Sequence, residues 1–263
     1  MKNKMILSNF VLIFTMLIFS ACSASPAVEN VSAAAADSTA AMDANTLDTS
    51  MAADAVVSQG TGFCDNDFFP LRNDKTWTYN TTSGDSDYDF SWTFKDITDS
   101  SFTIVQNFPS LTNEISWECG PDGILSSTYS NMAMNSDLNV NYDTLSVTGV
   151  ALPPADEWAV GKSWDMDYVV GVTLETEGMT IEANGDIATT RTITAIESVT
   201  VPAGTYANAY RVDSNGQMTL DLMGNQSTTP LIYSDWYVKG VGLVKSSSTQ
   251  DQLTYDMQLI SFE

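Results

Sequence analysis

The chain has 263 residues with 33 Asp or Glu against 10 Lys or Arg, a formal net charge of −23, and no His. So acidic a surface repels phosphate backbones, and with only Arg72, Arg191 and Arg211 as arginines a nucleic-acid partner is excluded. The lack of His removes Ser-His-Asp and Cys-His catalysis and every His-ligated zinc centre.

In chain order, Lys2 and Lys4 form a positive start, Ile6 to Phe19 an apolar run, and Ser20-Ala21 a small-residue cleavage site, which predicts a signal peptide over 1–21. Cys22 follows at once. Phe19-Ser20-Ala21-Cys22 resembles the bacterial lipobox, although Phe19 stands where Leu is usual; the resemblance implies cleavage before Cys22 and a diacylglycerol on its thiol. An uncleaved anchor is the other reading, opposed by an apolar run shorter than the ~20 residues a bilayer needs. Two or more acyl chains, such as diacylglycerol with palmitate, would hold the protein stably, whereas one is marginal. Residues 22–60 are mainly Ala, Ser, Asp and Thr without an aromatic, so they are expected to form a disordered tether that cannot offset the entropy of ordering.

Beyond Gly60 the composition changes. All six Trp and all ten Tyr lie between Trp77 and Tyr255, enough for a sizeable core, and 61–263 reads as a single domain with 61–150 and 151–263 as candidate halves. Cys64 and Cys119 are the only other cysteines, and in an exported chain such a pair is expected to form a disulfide; two buried thiols are the alternative.

Periodicity in this domain is that of strands. Tyr88, Phe90, Trp92 and Phe94 alternate with Asp87, Asp89, Ser91 and Thr93, and Met218, Leu220 and Leu222 with Thr219 and Asp221. Asn215-Gly216 reads as a hairpin turn, and Asn184-Gly185, Pro121-Asp122-Gly123 and Pro202-Ala203-Gly204 as further turns. Gly240 and Gly242 are expected to bend or bulge a strand. The fold class is therefore all-β: an antiparallel curved sheet, half-barrel or barrel.

A weak internal repeat points to two similar meanders in that sheet. Asp74-Lys75-Thr76-Trp77 resembles Gly161-Lys162-Ser163-Trp164, and Trp117 lies six residues before Gly123 as Trp236 lies six before Gly242. The Trp-to-Trp spacing differs, 40 residues in the first half and 72 in the second. Phe68-Phe69-Pro70-Leu71 leading to Trp77-Thr78-Tyr79, then Val201-Pro202-Ala203-Gly204-Thr205-Tyr206, then Trp236-Tyr237-Val238-Lys239-Gly240-Val241-Gly242-Leu243-Val244-Lys245 together resemble an uncharacterised group of bacterial β-rich lipoproteins. That resemblance implies an exported, lipid-anchored all-β domain related in shape to the half-barrels of lipoprotein carriers, and it carries no catalytic residue.

Enzyme activity is not expected. Gly84-Asp85-Ser86 looks like a GDSL-type nucleophile segment but lacks a His partner, and no carboxylate pair stands out for glycoside hydrolysis. No cofactor is expected, with calcium as the one candidate ligand. Asp85, Asp87 and Asp89 alternate along a strand, without the Gly that an EF-hand loop requires where Phe90 stands. A Cys64–Cys119 bridge would bring Asp65 and Asp67 toward Asp122 and the Gly120 and Gly123 carbonyls, a second hard-oxygen set. Solvated surface is the competing reading of both.

The expected function is a lipid-anchored envelope module, displayed outside the cytoplasm from the cell or outer membrane through the lipid on Cys22. Such a module would contact an envelope protein or a polysaccharide, with Trp158 and Trp236 as stacking aromatics or, on the competing reading, as core. The alternative is a carrier of a hydrophobic ligand or lipoprotein in a half-barrel cavity lined by Met166, Met218, Met223 and Met257, methionines that ordinary core filling also accounts for.

Overall fold

The computed structural model describes residues 58–84, 86–129, 139–176, 179–222, 224–250 and 253–263. The predicted signal peptide, Cys22 and nearly all of the tether lie outside the described residues.

Twelve strands form one sheet. In chain order they are β1 (Thr76–Ser83), β2 (Ser86–Lys95), β3 (Ser101–Asn107), β4 (Thr112–Gly120), β5 (Gly123–Ser126), β6 (Asn139–Gly149), β7 (Ser163–Thr176), β8 (Met179–Val201), β9 (Gly204–Leu222), β10 (Asn225–Val238), β11 (Gly242–Gln250) and β12 (Leu253–Phe262). Every pairing is antiparallel, and the order β5-β4-β3-β2-β1-β12-β11-β10-β9-β8-β7-β6 is a meander whose first and last strands meet in mid-sheet. The free edges are β5 and β6. Ile124 of β5 bridges Leu152, just past β6, so the sheet nearly closes into a barrel. The all-β expectation is met in its barrel-like form.

Alternation decides which side chains point inward. Along β2, Phe90 and Phe94 are buried while Tyr88 and Trp92 pack on the same core, and Asp87 and Asp89 face out, as the sequence pattern predicted. The end of the barrel near β1 is stoppered by the segment before it. Phe68 lies flat on Trp158 at 4.0 Å between ring centroids, and Phe69 sits among Phe94, Phe102 and Trp117. The plug is held by the Gly240 N–H donating to Asp67 O at 2.7 Å and the Asn66 amide donating to Pro153 O at 3.0 Å, and beside it Trp77 Nε1 of β1 donates to Val241 O at 2.8 Å and the Tyr79 hydroxyl to Leu243 O at 2.9 Å. The Cys64–Cys119 disulfide ties the plug to β4.

The residues of the weak repeat fall at matching strand positions. Trp77 is the second residue of β1 and Trp164 the second of β7; Trp117 and Trp236 lie on the fourth strand of each run, β4 and β10; Gly123 and Gly242 open the fifth, β5 and β11. The spacing differs because the second run is longer, with β8 and β9 at 23 and 19 residues against 10 and 7 for β2 and β3.

Two predicted turns are corrected. Asn184-Gly185 lies inside β8 and Asn215-Gly216 inside β9, both paired across the sheet. These glycines serve close packing: a Cβ on Gly185 would meet Leu220 Cδ2 at 2.8 Å and Val170 Cγ2 at 2.9 Å, and one on Gly216 would meet Ala188 O at 2.2 Å. The Pro121-Asp122-Gly123 and Pro202-Ala203-Gly204 turns join β4 to β5 and β8 to β9, with Gly123 at φ 133° and Gly204 at φ 147°. Gly240 belongs to the β10–β11 connection and Gly242 begins β11 opposite Val238, next to a register shift at Trp236 and Tyr237.

Candidate functional site

The interior holds two apolar clusters. The larger, which draws on β1–β5, β7–β12 and the plug, is filled with aromatic rings. Its cavity beside Phe69, Trp77, Tyr79 and Leu243 measures about 10 Å³, room for about one water. The smaller cluster lines the concave side of β6–β10. Tyr168, Val170, Val172, Ala183 and Ile187 are buried there, while Met218, Leu220, Leu222 and Leu231 are only partly covered. Long strands create this wall. The pairs of β10 with β11 stop at Tyr233–Ser248, whereas β10 continues to Asn225 against β9, so the wall rises past the neighbouring strands.

A polar belt lies between the clusters, on the same inward face. Arg191 of β8 stands opposite Ser214 of β9, and Ser214 opposite Tyr233 of β10. Arg191 is 4% exposed and Asp235 6%, and they pair at 2.6 Å between Nη2 and Oδ2. Arg191 also donates from Nη1 to Ala151 O at 2.8 Å and from Nη2 to the Tyr237 hydroxyl at 3.5 Å. The rings of Trp164 and Tyr233 each lie 5.8 Å from its guanidinium carbon. Two atoms in the belt stay without a partner, Arg191 Nε and Ser214 Oγ.

The electrostatics follow from burial. Burial pushes the Asp235 carboxyl above its ordinary value, and Arg191 and Ser246 pull it back only in part. Around the pair, burial drives the Tyr168 and Tyr129 phenols up to about 12 and raises Tyr237 as well. The Tyr168 hydroxyl donates to Ser126 O at 3.2 Å, and Tyr129 packs against Tyr142 and Tyr168, so these rings close the belt where β5 approaches β6. Such a belt holds uncharged phenols, one matched charge pair and two idle hydrogen-bonding atoms.

The predicted site residues are scattered by comparison. Cys64 and Cys119 form their disulfide. Asp67 pairs with Lys239 at 2.9 Å, and Asp65 and Asp122 are exposed; no group of three acidic, His or Cys side chains gathers anywhere among the described residues. The side-chain amide of Asn80 donates to both Asp87 and Asp89, at 2.7 and 2.9 Å, while Asp85 lies outside the described residues. Of the methionines, Met257 is buried in the larger core, Met166 and Met218 pack on the smaller, and Met223 is outside the described residues.

The stacking aromatics are engaged. Trp158 is buried under Phe68, and Trp236 faces outward with its Nε1 on Glu197 at 2.7 Å. Arg211 and Lys245, on the strands flanking Trp236, lie over its ring at 5.5 and 5.2 Å. Sequence reasoning missed the belt, although a signal existed: Arg191 occupies the inward phase of Ala183, Ile187 and Ile193, and Asp235 that of Tyr233 and Tyr237. A charge on the apolar phase of a strand requires a buried partner.

No curated protein matches the chain. The crystal structure of a candidate exported protein with YmcC-like fold from Bacteroides fragilis is 14% identical over 75% of this chain and 99% of its own, with a TM-score of 0.46. That of a candidate lipoprotein from Parabacteroides distasonis is 17% identical over 78% of this chain and 100% of its own, also at 0.46. Residues 110–254, from just before β4 to the start of β12, match the DUF3108-like family, and they contain both the belt and the concave wall. More than half the chain is covered, and the protein belongs to the DUF3108-like family.

Proposed function

We propose that this chain is an exported lipoprotein, anchored through the acylated thiol of Cys22, and that its β-domain is a binding module with no catalytic role. The surface it uses is the concave wall of β6–β10. One observation carries this reading: Met218, Leu220, Leu222 and Leu231 gather on one inward wall, and each keeps part of its apolar surface uncovered. Partly exposed apolar side chains gathered on one concave face are the usual lining of a binding site.

The interior therefore has better support than the outer face. Polymer stacking on Trp158 or Trp236 would displace Phe68 from one and two cations from the other. The ligand is an apolar group, belonging to a small molecule or to another envelope component, which brings the carrier reading and the display reading together on one wall. The acidic turns are read as solvated surface, with Asp67 committed to Lys239 and Asp87 and Asp89 to Asn80.

Two measurements test the proposal. Cys22→Ala should release a folded protein from the membrane fraction, and continued retention would overturn the anchoring. The fluorescent apolar probe N-phenyl-1-naphthylamine should brighten on binding the full chain and lose that response in Leu220→Asp, which places a charge on the wall. A dark probe with the unaltered chain would remove the binding surface. Calcium should produce neither heat in a calorimetric titration nor a melting shift.

A further inference from the structure

We infer that the polar belt below the wall recognises a neutral hydrogen-bond acceptor, an ester or amide carbonyl carried on an apolar chain. The inference rests on the wall being a binding surface and names what that surface takes. Arg191 Nε and Ser214 Oγ are both buried and both without a partner. They belong to directly paired residues of adjacent strands on one face, where Cβ atoms stand roughly 5 Å apart, which sets the two groups side by side. Unpartnered buried donors destabilise a fold, and of the six such side-chain atoms among the described residues these are the two on directly paired residues.

The charge balance selects the acceptor. Arg191 already has its counter-ion in Asp235, so a carboxylate or phosphate arriving here would place two negative charges beside one positive charge in a buried site. A carbonyl oxygen takes the idle N–H and O–H donors without adding charge. Its chain would then run along Ile187, Met218 and Leu231, which are apolar, beside the buried Tyr168 ring. The juxtaposition of paired donors, a matched ion pair and an adjoining apolar wall fits a fatty acyl ester or amide.

Competition with N-phenyl-1-naphthylamine on the full-length protein tests this, using methyl decanoate, decanoate and decane. Methyl decanoate should displace the probe at a concentration at least about five-fold below that of decane, the size expected of a hydrogen bond or two. Decanoate should do no better than decane. Ser214→Ala removes a hydroxyl that has no partner, so the fold should keep its stability while the ester advantage falls by about half or more. Equal displacement by ester and decane means that the belt holds only water and overturns the inference while leaving the wall intact. Tighter binding of decanoate than of ester overturns it too, by showing an anion site. A probe that never binds removes the wall and the belt together.

Discussion

Arg191 and Asp235 lie 44 residues apart in the chain and meet at 2.6 Å inside the barrel, reaching across β9 from β8 and β10. Taking both charges out of water costs several kcal/mol for each ion, which their attraction and the bond to Ala151 O offset. Removing one partner should therefore hurt more than removing both. Asp235→Ala should lower unfolding free energy by about 3–5 kcal/mol, by stranding a buried guanidinium. Arg191→Met with Asp235→Leu should fall within roughly 1–2 kcal/mol of the unaltered protein or exceed it. Urea unfolding of both single variants and the double completes the cycle; a double variant as unstable as the singles combined would show that the pair does not act as a unit.

The tyrosines around that pair set an alkaline limit. Burial raises Tyr129, Tyr168 and Tyr255 to about 12, from an ordinary value of 10.0. Because the folded value is the higher one, the native state keeps its phenol protons where the unfolded chain loses them. This contribution is complete below about pH 10 and disappears as the pH rises from there toward 12. Phenolate absorbance and near-ultraviolet circular dichroism should change together in that interval, as buried rings ionise on unfolding. If all ten tyrosines titrate near their ordinary value with the dichroism intact, the belt is open to solvent.

Local pattern revealed much of this architecture. Alternation from Tyr88 to Phe94 places four aromatics inward because a strand has only two faces, and that needs no knowledge of what lies opposite. Trp77 and Trp164 likewise each stand second in their strands, β1 and β7. Asn215-Gly216 misleads because the dipeptide describes only the freedom of the backbone. Its use here depends on Ala188 and Thr189 of the adjacent strand, which crowd Gly216. The belt was hidden for a similar reason: whether an Arg is buried depends on a partner and two aromatic rings contributed by distant strands. Cys64 and Cys119 were legible as a pair because so few partners existed.

That pair carries a stability prediction. The bridge spans 55 residues and fastens the Phe68–Phe69 plug to β4, and closing a loop of this length restricts the unfolded chain. Cys64→Ala with Cys119→Ala should lower stability by about 2–5 kcal/mol in urea unfolding. Reductant should destabilise the unaltered protein to a similar extent and leave the double variant unchanged. Sensitivity of the double variant to reductant would place the effect elsewhere.

The corrected turn in β9 separates two structures by mutation. If Asn215-Gly216 formed a hairpin turn, both residues would need positive φ, and replacing Asn215 with a β-branched residue would be costly. Within a strand, Asn215 is exposed, pairs with Thr190 and Ile232, and faces outward. Asn215→Thr should then change stability by no more than about 0.5 kcal/mol, with strand propensity in its favour. Gly216→Ala should behave oppositely. Its Cβ would sit 2.2 Å from Ala188 O and 2.8 Å from Thr189 Cα, both backbone atoms that cannot yield without moving β8. Overpacking of this kind costs about 1–3 kcal/mol, and because Gly216 adjoins Ser214 the shift should also disturb probe binding at the wall. Equal tolerance of both substitutions would mean that β8 and β9 do not approach as closely as their register requires.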